Sequence, residues 1–330
     1  MKFKRIIAFA AAFSLLLSGC SRLDDKADQT YTDTLFDTVI SVQILDPVSK
    51  SVIDGCEKLC KEYDTKFSTT NKDSEIYKIN HAKKKAVEVS DDTITIIKKG
   101  IYYSEFSNGA FDITIGSVSK LWDFHAEKPK VPSSEKIQSA RSHVNYKNIV
   151  IRDNTVRLTD SKARIDVGAI AKGYIADRLK DYLEDEGVKH AIINLGGNVQ
   201  TVGSKTDGSD FNIGIQKPFD ESGQPITSVK VSDKSVVTTG IYQRYFEKNG
   251  KLYHHILDPS TGYPCDNNLY SVTIITDSSL TADALSTTCF LLGPEEGMKI
   301  VNQLDNVDAV FITDDNKIHY SDNFMKKQPD

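Results

Sequence analysis

The 330-residue sequence lacks the features that mark several special classes of protein. Nineteen glycines and nine prolines are too few for collagen-like or low-complexity sequence, so the chain is of ordinary globular type. It has no basic surplus. Lys and Arg number 41 against 46 Asp and Glu, a net charge of −5. A protein that tracks phosphates along a nucleic acid carries the opposite balance, so nucleic acid is not a partner on this reading. Cysteines are few, and Cys56 and Cys60 lack the spacing of a zinc site. They fall instead on an apolar stripe with Val52, Ile53, Leu59, Tyr63 and Phe67, which makes them core residues of a helix. There is no Walker A motif, no GxGxxG and no tandem repeat.

The N-terminus stands apart from the fold. Lys2, Lys4 and Arg5 precede the apolar run Ile6–Leu17, whose 12 residues are too few to cross a bilayer as a helix. This is the layout of a secretory signal. Leu17-Ser18-Gly19-Cys20 follows and resembles a bacterial lipoprotein cleavage box; the other reading is an ordinary signal peptide with an unrelated cysteine. With the box, residues 1–19 are removed and Cys20 becomes the lipidated N-terminus. The mature chain then loses three cationic and no acidic residues, which moves the net charge to −8. Residues 20–33 read as a polar tether and 34–325 as one domain. The acylated Cys20 carries more than one chain, enough for stable anchoring at the outer face of the cell membrane.

Strands are expected at Thr38–Leu45 and Ala191–Asn194. Hairpins are expected around Asp153-Asn154 and Asn249-Gly250. Helices are expected at Val52–Phe67, Thr93–Ser107, Ser133–Ser142, Tyr174–Glu186, Thr281–Leu292 and Pro294–Leu304. Strand pairs and helices come in clusters rather than in alternation, which predicts an α+β fold with mixed or antiparallel sheets and flanking helices.

Five stretches carry candidate chemistry. Gly109-Ala110-Phe111-Asp112-Ile113-Thr114-Ile115-Gly116 runs toward Leu121-Trp122. Ile165-Asp166-Val167-Gly168-Ala169-Ile170-Ala171-Lys172-Gly173 places a carboxylate, two glycines and a lysine just ahead of a helix, an arrangement suited to phosphate. It also fits an Asp that caps a helix beside a solvated Lys. Asn194-Leu195-Gly196-Gly197-Asn198 ends a strand in a glycine turn. His254-His255-Ile256-Leu257-Asp258-Pro259-Ser260-Thr261-Gly262 leads a strand into a turn, with a histidine either poised as a base or merely half-exposed. Asp283 and Thr287 lie four apart in a predicted helix. They are either hard oxygen ligands for Mg²⁺ or simply a first-turn carboxylate and a neutral neighbour.

Taken together, these stretches resemble the ApbE family, the FAD:protein FMN transferases. The matching pieces are GAFDITIG with LW, IDVGAIAKGYIADRL, NLGGN, VVTTGIYQRYF with HHILDPSTGYP, and TADALSTTCFLLG, with STTNKDSEIYKIN upstream. The resemblance implies that FAD is cleaved at its pyrophosphate with Mg²⁺, that FMN passes to a Thr or Ser hydroxyl of an exported protein, and that AMP leaves. The acceptor would carry a D-x-x-[ST]-G-A-T-like motif. It also implies Mg²⁺ ligation by Asp283, Thr287 and the Ala169 carbonyl. FAD contacts would come from Phe36, Thr70, Ala110, Phe111, Asp112, Asp166, Lys172 and Leu257, and His255 would act as the base. Two positions depart from the family: Phe36-Asp37-Thr38 replaces Met-Gly-Thr, and Thr70 replaces a Tyr. Stacking there is weaker or is supplied elsewhere, with Tyr242 and Tyr245 close in sequence. Three other activities share these residues: hydrolysis of FAD to FMN and AMP, flavin capture without catalysis, and self-flavinylation at Thr261.

Overall fold

The computed structural model describes residues 29–124, 126–220 and 222–327. The signal sequence, Cys20 and residues 21–28 of the tether lie outside the described residues. The chain begins with strands β1 (Thr30–Leu35) and β2 (Thr38–Ile44), then helices α1 (Lys50–Phe67) and α2 (Glu75–His81). After β3 (Val87–Glu88) come α3 (Asp91–Phe106), α4 (Gly116–Ser119) and α5 (Ser134–Arg141). Strands β4 (Ile149–Arg152) and β5 (Thr155–Leu158) lead to α6 (Gly168–Asp185). Seven strands follow: β6 (Ala191–Leu195), β7 (Asn198–Val202), β8 (Phe211–Gln216), β9 (Pro225–Val231), β10 (Ser235–Gly240), β11 (Tyr245–Lys248) and β12 (Lys251–His254). Strand β13 (Leu269–Thr276), helices α7 (Ser279–Leu292) and α8 (Pro294–Asn302), strands β14 (Asp308–Thr313) and β15 (Ile318–Tyr320), and α9 (Asp322–Lys327) end it.

Eight strands form one sheet in the order β1-β2-β6-β7-β10-β13-β14-β15, with every neighbouring pair antiparallel. Its two faces are buried separately. On β14, Ala309 and Phe311 point into the main core, whereas Val310 and Ile312 point into a second one. The alternation follows from the period of two along a strand. Helices α1, α6 and α7 cover the first face through Cys56, Cys60, Leu179, Leu183, Leu285 and Cys289. The β8–β9 hairpin covers the second with Phe211, Ile213, Ile215, Val229 and Val231. A third cluster joins Val118, Trp122, Ile137, Phe246 and Leu257. Cys56 and Cys60 are fully buried free thiols, as the helical stripe predicts.

Two expectations need correction. Residues 30–33 are not tether: β1 starts at Thr30 and pairs with β2 from Thr30↔Gln43 to Leu35↔Thr38. It is a sheet-edge strand, so it shows few apolar residues, though Tyr31 is buried. Helix α6 begins at Gly168 rather than Tyr174, so Lys172 and Gly173 lie inside it and not ahead of it. Gly173 marks a close helix approach there rather than a turn. A Cβ on it would stand 2.4 Å from the Ser279 carbonyl oxygen.

Candidate active site

The five stretches converge on the N-terminal turns of α6 and α7. The segment 109–116 packs against the strand-like run before α6, where Ile115 makes a parallel bridge with Arg164. Gly116 permits this contact, since a Cβ would meet the Arg164 oxygen at 2.6 Å. Asp166 donates its N–H to Ile113 O (2.7 Å), while its carboxylate accepts from Gly168 N (2.9 Å) and Ser119 Oγ (3.0 Å). Asp166 therefore ties the first stretch to the start of α6. Trp122 reaches the fourth stretch and donates from Nε1 to Gly262 O at 3.1 Å.

Asn198, at the end of the third stretch, accepts from Ser279 Oγ at 2.6 Å. Its amide also lies beside Asp283 and favours the charged carboxylate. Asp283 is buried on α7, and Oδ2 accepts the Gly173 N–H at 2.8 Å. In a regular helix that N–H goes to the carbonyl four residues back, Ala169 O. Here a carboxylate of the neighbouring helix lies within hydrogen-bond distance of the same donor. One turn further along α7, Thr287 Oγ1 lies 3.0 Å from Thr239 Oγ1 of β10. Asp283 thus bridges α6 and α7, with Thr287 one turn along α7 beside β10 and Ala169 in the first turn of α6. Burial raises the Asp283 pKa, and the Lys172 ammonium is the main opposing influence.

His255 follows β12. The carbonyl of Arg244 accepts its backbone N–H (3.1 Å) and faces its ring Nδ1 (3.3 Å). Burial pushes the His255 pKa down to about 3, with Arg244, His254 and Lys172 acting in the same direction. The ring is neutral at pH 7, with Nδ1–H toward the carbonyl and the Nε2 lone pair free. The Lys172 ammonium acts electrostatically on both the Asp283 carboxylate and the His255 ring. Arg244 also donates to the carbonyls of Phe36 (3.5 Å) and Asp37 (3.3 Å). That brings the β1–β2 turn, in which Phe36 and Asp37 both have positive φ, to the same region.

The remaining predicted contacts are placed as follows. Phe111 is buried, Ala110 half-buried, and the Asp112 carboxylate is fully engaged. It accepts from Thr114 N (2.7 Å), Thr114 Oγ1 (2.6 Å) and Tyr146 N (2.9 Å), so it braces the loop. The Leu257 side chain packs in the Trp122 cluster. Thr70 is exposed, and its hydrogen bonds stay in its own loop, to Ser68. Asp258 builds the turn by accepting Ser260 N at 2.7 Å and Ser260 Oγ at 2.8 Å. The two histidines are not equally half-exposed. His254 is buried and bonds Cys265 O through Nε2 at 2.8 Å. Tyr242 and Tyr245 gather with Tyr270 around Phe219, at ring-centroid distances of 5.1 to 6.0 Å.

Four residues without a role in the sequence reading take part: Asp177, Asn198, Thr239 and Arg244. All four lie in stretches already quoted: Asp177 in IDVGAIAKGYIADRL, Asn198 in NLGGN, and Thr239 and Arg244 in VVTTGIYQRYF. Asp177 stands four residues after Gly173, on the same face of α6.

The ApbE family model matches residues 36–311. A FAD:protein FMN transferase of Klebsiella pneumoniae (strain 342) is 39% identical over 259 residues, 78% of this chain and 80% of that protein. Another, from Vibrio cholerae, is 32% identical over 327 residues, 96% and 97% of the two chains. The crystal structure of the ApbE protein of Thermotoga maritima superposes with a TM-score of 0.82 at 32% identity, covering 91% of this chain and 99% of that one. The flavin transferase ApbE from Vibrio cholerae gives 0.80 at 28%, with coverage of 90% and 98%. The chain belongs to the ApbE family.

Proposed function

We propose that the protein is a Mg²⁺-dependent FAD:protein FMN transferase. One observation carries the reading: the buried Asp283 carboxylate of α7 meets the first turns of α6, accepting the Gly173 N–H at 2.8 Å. The relatives at 39% and 32% identity bear the same activity in their names. The overall change is FAD plus a Thr or Ser hydroxyl giving an FMN phosphoester and AMP. The hydroxyl oxygen bonds to the FMN phosphorus as the bond to the AMP phosphate breaks.

The donor set fits a hard cation. A buried carboxylate, a hydroxyl and a carbonyl of the first turn of α6 suit Mg²⁺, which commonly completes its shell with water and substrate phosphate. Among the described residues no three His, Cys, Asp or Glu side chains converge, so a cation here depends on such neutral oxygens. Asp283, Thr287 and Ala169 O would hold it, and it would supply positive charge against the pyrophosphate. Lys172 adds a further cation in a partly dry site, where charge stabilisation counts most. The Nε2 of His255 takes the acceptor hydroxyl's proton, and Nδ1–H stays on the Arg244 carbonyl. The acceptor is an exported protein with a D-x-x-[ST]-G-A-T-like motif. Cys20 anchors the enzyme by lipid beside it, and a Cys20→Ala variant is expected to leave the membrane fraction.

The test is mass spectrometry of the domain incubated with FAD, Mg²⁺ and a protein bearing that motif. A covalent FMN adduct with one AMP released per adduct is expected. FMN and AMP released with no adduct would make the protein a hydrolase, and unchanged FAD would leave a binding protein.

A further inference from the structure

Asp177 lies outside every residue so far given a part in the reaction, yet its carboxylate is among the most heavily bonded in the molecule. It projects from α6 onto the first turn of α7. It accepts Ser279 N at 2.7 Å, Ser278 Oγ at 2.8 Å and Leu280 N at 3.0 Å. Unpaired N–H groups at a helix start need such acceptors, and here another helix provides them. The return bond runs the other way, from Gly173 N of α6 to Asp283 of α7. Gly173 and Asp177 are one turn apart on α6, as are Ser279 and Asp283 on α7. Two bonded points one turn apart on each helix fix both the sliding and the rotation of the pair. Gly173 lets the backbones meet, with 2.4 Å from a would-be Cβ to Ser279 O.

We propose that Asp177 is a positioning residue for the cation site, holding Asp283 and Thr287 of α7 at a fixed distance from Ala169 of α6. The inference rests on the cation reading of these three residues. Asp177 acts in two ways. It stops the first turn of α7 from fraying, and Asp283 lies only one turn beyond Ser279. It also keeps a half-buried carboxylate against the first turn of α7, whose negative charge favours an added cation nearby. Carboxylates behind metal ligands commonly change metal affinity about 10–100-fold.

The experiment titrates the lipid-free domain with Mg²⁺ alone and follows the rise in melting temperature. Asp177→Asn keeps the shape and loses the charge, and its Mg²⁺ midpoint is expected to rise about 10–100-fold. Ser278→Ala removes one of the three donors and keeps the carboxylate. A smaller shift in the same direction is expected, and it answers the question even if Asp177→Asn folds poorly. Asp46→Asn is the control. Asp46 accepts Lys189 N (2.6 Å) and His190 N (2.8 Å), beyond the far end of α6. It should lower the baseline melting temperature without moving the midpoint. Lower baselines but a wild-type midpoint in both Asp177→Asn and Ser278→Ala would reduce Asp177 to a simple helix cap and overturn the proposal. No Mg²⁺ response in the wild type would overturn the cation reading itself, and the proposal with it.

Discussion

The carbonyl of Arg244 faces His255 twice, taking its backbone N–H at 3.1 Å and standing 3.3 Å from its ring Nδ1. The double contact fixes both the orientation and the tautomer of the ring. A base needs its free nitrogen aimed in advance, because a positioned base contributes about 10²–10⁴-fold. His255→Ala is therefore expected to lose roughly that factor in single-turnover transfer at saturating FAD, with FAD binding little changed. His254 has its ring nitrogens occupied, Nε2 by Cys265 O (2.8 Å) and Nδ1 by the Ile256 N–H (3.3 Å). His254→Ala should lose stability far more than chemistry. Equal losses of transfer in both variants would remove His255 from the role.

An unperturbed histidine would make transfer rise with pH near ~6.5. Burial changes that expectation. His255 is held down to about 3 and His254 to about 4, both by loss of water first. Transfer in the free domain should then be insensitive to pH between 6 and 8 as far as the base is concerned. The same depression acts on stability. Between the unfolded value of ~6.5 and the folded value, the unfolded chain binds the extra proton. Stability is therefore complete above ~6.5 and falls on acidification, by about 1.4 kcal/mol per pH unit for each histidine. The raised carboxylates Asp112, Asp177 and Asp283 work in the opposite direction, since protonation favours their buried forms. Denaturant melts of wild type and His254→Asn at pH 7, 6 and 5 isolate the histidine part. The wild type should lose its advantage over the variant as pH falls, and a constant difference would contradict the burial argument.

Much of this was legible in the sequence, for identifiable reasons. Helix α1 shows because Val52, Cys56, Cys60, Tyr63 and Phe67 repeat at helical spacing. The hairpin β11–β12 shows because Asn249 and Gly250 both need positive φ, which that dipeptide supplies. The α7 pair Asp283 and Thr287 shows because a carboxylate and a hydroxyl stand four apart on one helix face. What stayed hidden depends on distant partners. Asp177 looks like any polar residue of an amphipathic helix until it is seen capping a helix 102 residues away. The same holds for Arg244, whose guanidinium meets a turn 208 residues earlier in the chain. The start of α6 was masked by glycine, since Gly173 serves a helix–helix contact and Gly168 the first turn.

Asp283 is buried with its charge only partly compensated, by the nearby Lys172, the Gly173 N–H and the Asn198 amide. Such a group destabilises the metal-free fold and is relieved by a cation. Asp283→Asn should abolish transfer at ordinary Mg²⁺ yet melt at or above the wild-type temperature in chelator. Asp283→Ala should also abolish transfer, with a cavity cost added. Mg²⁺ should raise the wild-type melting temperature, by about 2.7 kcal/mol of stability at 100 times its Kd, and leave Asp283→Asn unmoved. Wild-type transfer rates in Asp283→Asn would sink the ligand assignment.

Gly173 and Gly55 are both helix-interior glycines, and in both a Cβ would collide with a neighbour, but the neighbours differ. At Gly55 the Cβ would stand 1.9 Å from Tyr182 Oη, the far end of a side chain that is able to swing away. At Gly173 it would stand 2.4 Å from Ser279 O and 2.7 Å from Leu280 Cα, which are backbone of the facing helix. Backbone cannot yield without opening the α6–α7 contact, and with it the bonds at Asp283 and Asp177. Alanine is otherwise favoured over glycine inside a helix by roughly 1 kcal/mol. Gly55→Ala should therefore be close to neutral, within about 1 kcal/mol, with full transfer activity. Gly173→Ala should cost about 1–3 kcal/mol or more from overpacking. Its Mg²⁺ midpoint should also rise, because α7 is pushed away from Ala169. Denaturant midpoints and Mg²⁺ titrations of the two variants side by side decide the matter. If Gly173→Ala is as stable as Gly55→Ala and binds Mg²⁺ like wild type, the close approach of the helices is not what holds the cation site together.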